Sequence, residues 1–236
     1  MPSLIGPVRS YAEMLGRITT CTAIVALVLA LVMRSQLGWF DDLLKPIDSG
    51  FDLIPPDWRK VPAGDAVVLV LAAVGSRFFK LHDRLSDLLQ IRARFDVDAI
   101  LRPMALMTLQ SPMTRAAMAA LSTQRDDLMH ALFYPYASTD PARRQIDAHY
   151  VDIAIDHWTW YWVVLEGNFL CLVAALVFLF SSSYGGAAVL LLLVLVLIGL
   201  LQLLRRMCER NALNEVEEIL KDSNRAQAIQ ERLSAL

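Results

Sequence analysis

Cysteine is scarce in this chain. Cys21, Cys171 and Cys208 are the whole supply, no two stand as CxxC, and two of them fall in apolar stretches. That excludes a disulfide framework and a cysteine-built zinc module, and leaves three reduced packing thiols. Glycine is thinly scattered, so no Gly-rich phosphate loop is present, and no nucleophile motif accompanies it. The sequence calls for no cofactor and no resident metal. An excess of positive charge is missing too. Lys and Arg total 22 against 24 Asp and Glu, a net of −2, so no basic field calls for nucleic acid. Locally, charge disappears altogether. Residues 187–201 carry no polar side chain, and with Gln202, Leu203 and Leu204 the run reaches the length needed to cross a bilayer core.

What is present is apolar surface. Hydrophobic residues make up 56% of the chain, more than the roughly 45–50% of a soluble domain, and they are clustered. Four runs are candidate spans: Ile18–Met33, Ala66–Phe79 behind Asp65 as a helix N-cap, Val163–Phe180 and Ala187–Leu204. The first two are short, about 24 and 21 Å as helices, and must borrow flanking residues or thin the bilayer. The first run has no small-residue cleavage site after it and reads as a retained span.

The pattern predicts an all-α polytopic membrane protein with four transmembrane helices in two hairpins and a small cytoplasmic helical domain. Its parts are a first hairpin over 1–79 with an extracytoplasmic loop at 34–64, a helical insert over 80–157, a second hairpin over 158–204 and a C-terminal helix over 205–236. Basic residues set the orientation. Arg77, Lys80 and Arg84 follow the second span, and Arg205, Arg206 and Arg210 follow the fourth, so both termini and the insert are expected in the cytoplasm of a bacterial inner membrane. Trp158, Trp160, Tyr161 and Trp162 read as an interfacial aromatic belt.

Within 35–60 the apolar residues Trp39, Phe40, Leu43, Leu44 and Ile47 alternate with Asp, which predicts an interfacial helix and then a return through Pro55-Pro56. Leu81, Leu85, Leu88, Leu89 and Phe95 predict an amphipathic, coiled-coil-like stalk that continues the second span and ends at Pro103. Ser111-Pro112 and Thr139-Asp140-Pro141 predict two further helix starts, the second running into the third span. Met104, Met107, Met113, Met118 and Met129 either fill a small core or form an adaptable docking surface.

Two groups of polar residues are candidates for chemistry. His149, Asp152 and Asp156 recur at i, i+3 and i+7, with His157 beside them; this would suit a metal or acid–base site at the cytoplasmic face, and equally a solvated helix face. Glu166 and Asn168 lie inside the third span, where an ionisable group costs roughly 2.5–3.5 kcal/mol. If the third and fourth spans turn over Ser181–Gly186, Glu166 comes level with Leu201. It would then join Asn168, Gln202 and Arg205 in an intramembrane polar cluster near the inner face. That cluster either locks the hairpin through a Glu166–Arg205 pair or, as a ring in an oligomer, lines an ion path.

Two spans, a helical insert, two spans and a tail make a layout similar to that of the MotA-type motor stator subunits and of small four-span bacterial pore-forming effectors. The resemblance is one of layout. The segment Leu165-Glu166-Gly167-Asn168-Phe169 has no proline where the stator subunits' third span is rich in proline and glycine, so no residue role carries over. The expectation is a non-enzymatic, homo-oligomeric protein of the lipid bilayer. Either it forms a pore that transports ions, or it responds to a signal through cytoplasmic helices that bind a soluble protein. The alternatives are a membrane-bound enzyme using His149, Asp152, Asp156 and His157, and a passive anchor subunit of a larger complex.

Overall fold

The computed structural model describes residues 6–50, 63–78, 80–109 and 114–236. Every regular element among them is helical. In chain order these are α1 (Tyr11–Gln36), α2 (Gly38–Gly50), α3 (Ala63–Phe78), α4 (Leu81–Leu89), α5 (Ile91–Phe95), a π-helical turn (Asp96–Leu101), α6 (Arg102–Leu109), α7 (Arg115–Thr123), α8 (Arg125–Leu132), α9 (Ala148–Phe180), α10 (Tyr184–Leu220) and α11 (Ser223–Ser234). Contacts group the chain into two compact units: 15–82 with 160–203, and 1–14 with 83–159 and 204–236.

The first of these is the apolar unit. Among the described residues three helices, α1, α9 and α10, are long and apolar enough to cross a membrane. The apolar run at 18–33 is only the middle of α1. Ser10 starts the helix early, its hydroxyl accepting from the Glu13 amide while the Glu13 carboxylate accepts from Arg9 N–H. This variant of the capping box lengthens the helix to 26 residues, about 39 Å. In α3, Asp65 lies inside the first turn and does not cap it, because the helix already begins at Ala63. Phe79, the expected end of that run, lies outside the described residues, as do Pro55-Pro56.

The hairpin of α9 and α10 turns over Ser181–Ser183. Phe178, Ala174, Ala175, Ala187 and Leu190 form a small core there with Leu37. Gly186 permits it, since a Cβ at that position would sit 2.6 Å from the Phe178 ring. Gly64 serves the same purpose between α3 and α2, where a Cβ would meet Leu44 at 2.9 Å. At Gly199 and Gly167 a Cβ would meet nothing closer than 4.0 Å.

The second unit is a helical domain assembled from distant segments. Leu101, Met104, Leu121, Leu128, Met129 and Phe133 pack with Val151 of α9, with Val216 and Ile219 of α10, and with Ile229 and Leu233 of α11. Met104 and Met129 are fully buried, and Met118 packs against the same core, so these methionines fill gaps; Met107 is exposed and Met113 lies outside the described residues.

Several expected helix boundaries move, each for a local reason. The stalk is not continuous, because Lys80 (φ 46°) and Gln90 (φ 52°) adopt left-handed backbone on either side of α4. Pro103 does not end the helix. The π-turn before it widens the backbone, with Arg102 N–H bonding back to Val97 O, where a regular turn would drive the proline ring into the carbonyl of Ala99. Ser111-Pro112 lie outside the described residues; α7 is capped by Thr114, whose hydroxyl accepts from Ala117 N–H. Asp140 makes a tight turn, and α9 starts only at Ala148, behind Asp147, whose carboxylate accepts from His149 N–H. The C-terminal helix breaks after Leu220, where Asp222 caps α11 through the amides of Asn224 and Arg225.

Candidate functional site

Glu166 is fully buried in the apolar unit. Its Oε2 accepts hydrogen bonds from Thr22 Oγ1 of α1 at 2.5 Å and from Ser76 Oγ of α3 at 3.1 Å. Its Oε1 lies 3.8 Å from Nδ1 of His82, in the first turn of α4. His82 is itself buried, and its ring stands edge-on to Trp162, one turn before Glu166 on α9. Helical geometry explains the convergence: residues four apart share a face, so the aromatic and the carboxylate of α9 meet the same neighbours. Elsewhere along the same two helices the buried Arg17 of α1 lies over the Trp160 ring of α9 at 5.4 Å. The centre thus draws on four helices, and one oxygen of its carboxylate, Oε2, is solvated by hydroxyl groups in place of water.

A second polar knot closes the other end of α1. Arg34 reaches Asp41 at 2.7 Å, Asp65 at 3.5 Å and Asp48, while the other oxygen of Asp48 accepts from Gly64 N–H at 2.8 Å. One guanidinium therefore ties α1, α2 and the start of α3 together. Asp65 is completely buried against it.

The residues expected to cluster with Glu166 have other surroundings. Asn168 is half-buried on α9, and Gln202 and Arg205 are exposed on α10. Arg205 pairs with Glu209, four residues on, at 2.8 Å. The three-residue hairpin turn brings Glu166 level with about Ile198 of α10, not Leu201. Of the other candidate set, Asp152 faces Arg144 at 3.7 Å, Asp156 accepts from the Val8 amide at 3.1 Å, and His157 Nδ1 bonds the Asn211 amide at 2.6 Å. His149 contributes its backbone N–H to the Asp147 cap. No three His, Cys, Asp or Glu side chains among the described residues are grouped to hold a metal ion.

Sequence reasoning missed Thr22, Ser76 and His82. Thr22 and Ser76 are small polar residues inside otherwise apolar runs, and that isolation was the available signal. His82 stood in a single His-Asp dipeptide with nothing in its neighbours to mark it.

Long apolar helices gathered around a buried carboxylate define a class: an all-helical protein with the makings of an integral membrane protein. The chain belongs to the YmfE protein family, whose model matches residues 10–231. No curated protein and no solved structure matches it.

Proposed function

We propose that this chain is a signal-responsive membrane effector rather than an enzyme. In this reading α1, α3, α9 and α10 all cross a bacterial inner membrane. The helical domain and both termini lie in the cytoplasm, the protein works as a homo-oligomer, and its domain engages a soluble partner. The Glu166 centre carries the reading. A carboxylate in an apolar bundle is retained where it has bonding partners or a use, and here Ser76 brings α3 to the same depth as α1 and α9. That supports a fourth crossing by a helix of only 16 residues, about 24 Å. Glu166 is consumed inside a single chain, which favours a polar lock within each bundle over a ring lining a pore.

The test is topological. Single cysteines at Ser49 and at Gln227, in a background where Cys21, Cys171 and Cys208 are replaced, are labelled with an impermeant maleimide. Ser49 is expected to react in intact cells and Gln227 only after permeabilisation. Labelling of both under the same condition refutes the four-crossing arrangement. Mass photometry in nanodiscs tests the oligomer, a monomer being the refuting result. Conductance in liposomes tests the effector reading against a pore, current being the refuting result.

A further inference from the structure

The helical domain carries a groove of about 720 Å³ beside the end of α8, bordered by the chain that leads into α9. Its lining includes Arg143, Arg144, His130, Tyr134, Ser138 and Gln145, and no carboxylate side chain. A neighbouring cavity shares His130 and Tyr134 but is also lined by Asp87 and Asp126. There Arg125 is already engaged, by Asp96 at 2.9 Å and by Asp126 at 2.5 Å. The two arginines of the larger groove are held much more loosely. Arg143 Nε stands 3.6 Å from Asp140, and Arg144 Nη1 stands 3.7 Å from Asp152. Both separations are too long for a hydrogen bond, so neither guanidinium is committed to its carboxylate; Arg143 is largely exposed and Arg144 partly so.

The wall that presents them is fixed. Asp140 O accepts from the amides of both Arg143 and Arg144, Asp140 Oδ1 accepts from Ala142 N–H, and Gln145 N–H closes the loop on Tyr136 O. Burial holds the Tyr134 phenol above its ordinary range, and its hydroxyl is bonded to Arg92 on the side of the neighbouring cavity. Two adjacent guanidinium groups, the Ser138 hydroxyl, an imidazole and an amide amount to a set of donors along one wall. Planar guanidinium forks match the oxygens of phosphate in bidentate fashion.

We propose that this groove is a binding site for a phosphate-bearing anion. Two sources share that chemistry, a soluble phosphomonoester and the headgroup of an acidic phospholipid. The second fits the membrane reading above. Asp152, the tether of Arg144, precedes Trp158 of the aromatic belt by six residues, about 9 Å along α9. That separation is just beyond the depth of a headgroup layer, about 5–8 Å.

The test uses the full chain. In detergent, inorganic phosphate and glycerol 3-phosphate are titrated and followed by thermal shift. In nanodiscs, phosphatidylcholine alone is compared with phosphatidylcholine doped with phosphatidylglycerol, and lipid retained after purification is counted by native mass spectrometry. The R143Q/R144Q double variant is expected to bind roughly tenfold more weakly or worse, as loss of charge-assisted bonds implies. S138E, which adds a negative charge to the wall and keeps both arginines, is expected to weaken binding likewise. R115Q on α7 is expected to bind as the wild type does. Retention of phosphatidylglycerol that both groove variants lose supports the site with lipid as its source. Saturable binding of the soluble phosphates alone, lost in the same variants, supports it with a soluble ligand and stands even if the chain proves not to cross a membrane. No binding in either arm, or binding unchanged in both groove variants, overturns the proposal.

Discussion

A carboxylate in an apolar bundle must take its solvation from its neighbours, and Glu166 takes it from Thr22 and Ser76. Glu166→Gln keeps an acceptor for both hydroxyls and is expected to leave stability nearly unchanged. Glu166→Leu strands them and is expected to cost about 1–3 kcal/mol, read as a lower midpoint in denaturant titration of the detergent-solubilised protein. Equal loss in both variants would show that charge, not hydrogen bonding, holds the site. In the helical domain, burial pushes Asp96 up to about 6, with Arg125 and Arg92 opposing the shift, and pushes Glu215, near the C-terminal end of α10, up to about 8. Both acids hold their proton more tightly folded than unfolded. Each therefore weakens the fold as pH rises, between its ordinary value of 3.8 or 4.5 and its folded value. Tm is expected to fall from pH 5 to pH 9, and Glu215→Gln to raise Tm by about 2–4 °C or more at the alkaline end and little at pH 5. A flat profile in the wild type would contradict this. The presence of Glu166 was legible in the sequence because an acid in an apolar run stands out. Its partners were not, because Thr22, Ser76 and His82 are separated from it by 84 to 144 positions and only the packing of four helices joins them.

Among the elements, close approach depends on Gly186 and Gly64. Gly186→Ala drives a methyl group into the Phe178 ring and is expected to cost about 1–3 kcal/mol by the same denaturant assay, whereas Gly199→Ala meets open space and is expected to be neutral or mildly stabilising. Gln90 sits in left-handed backbone between α4 and α5, so Gln90→Gly is expected to gain about 1 kcal/mol and Gln90→Val to lose at least as much. Apolar runs announced α1, α9 and α10 by length and composition alone. Their ends were harder to read, because caps decide them. Ser10 and Glu13 extend α1 beyond its apolar run, Asp147 delays α9 past the Asp140-Pro141 signal, and Asp222 divides the C-terminal helix. The π-turn before Pro103 has no sequence marker apart from the proline it accommodates.

At the scale of the whole molecule, the basic residues and the apolar runs suggested a strictly linear order of hairpin, insert, hairpin and tail. Contacts gather the chain differently, drawing residues 1–14, 83–159 and 204–236 into one compact unit. Periodicity cannot reveal such an arrangement, since it reports which face of a helix is apolar and not which distant helix will cover it. Asp156 fastens the N-terminal segment to this unit through the amide of Val8, a residue that is itself buried. Asp156→Ala is expected to release that segment, raising hydrogen exchange at Val8 and Arg9 without loss of the α9 signals. Unchanged protection there would show the contact to be incidental.

The discontinuity of that unit also governs when it can exist. Ile229 and Leu233 are fully enclosed in its core, together with residues near position 100. During translation the helices of the apolar unit are therefore made first, while the interior of the other unit stays incomplete until Ile229 and Leu233 have left the ribosome. Biogenesis acquires an order from this: the apolar unit is complete before the domain, and a ribosome stalled before Ile229 holds a chain whose domain core is still open.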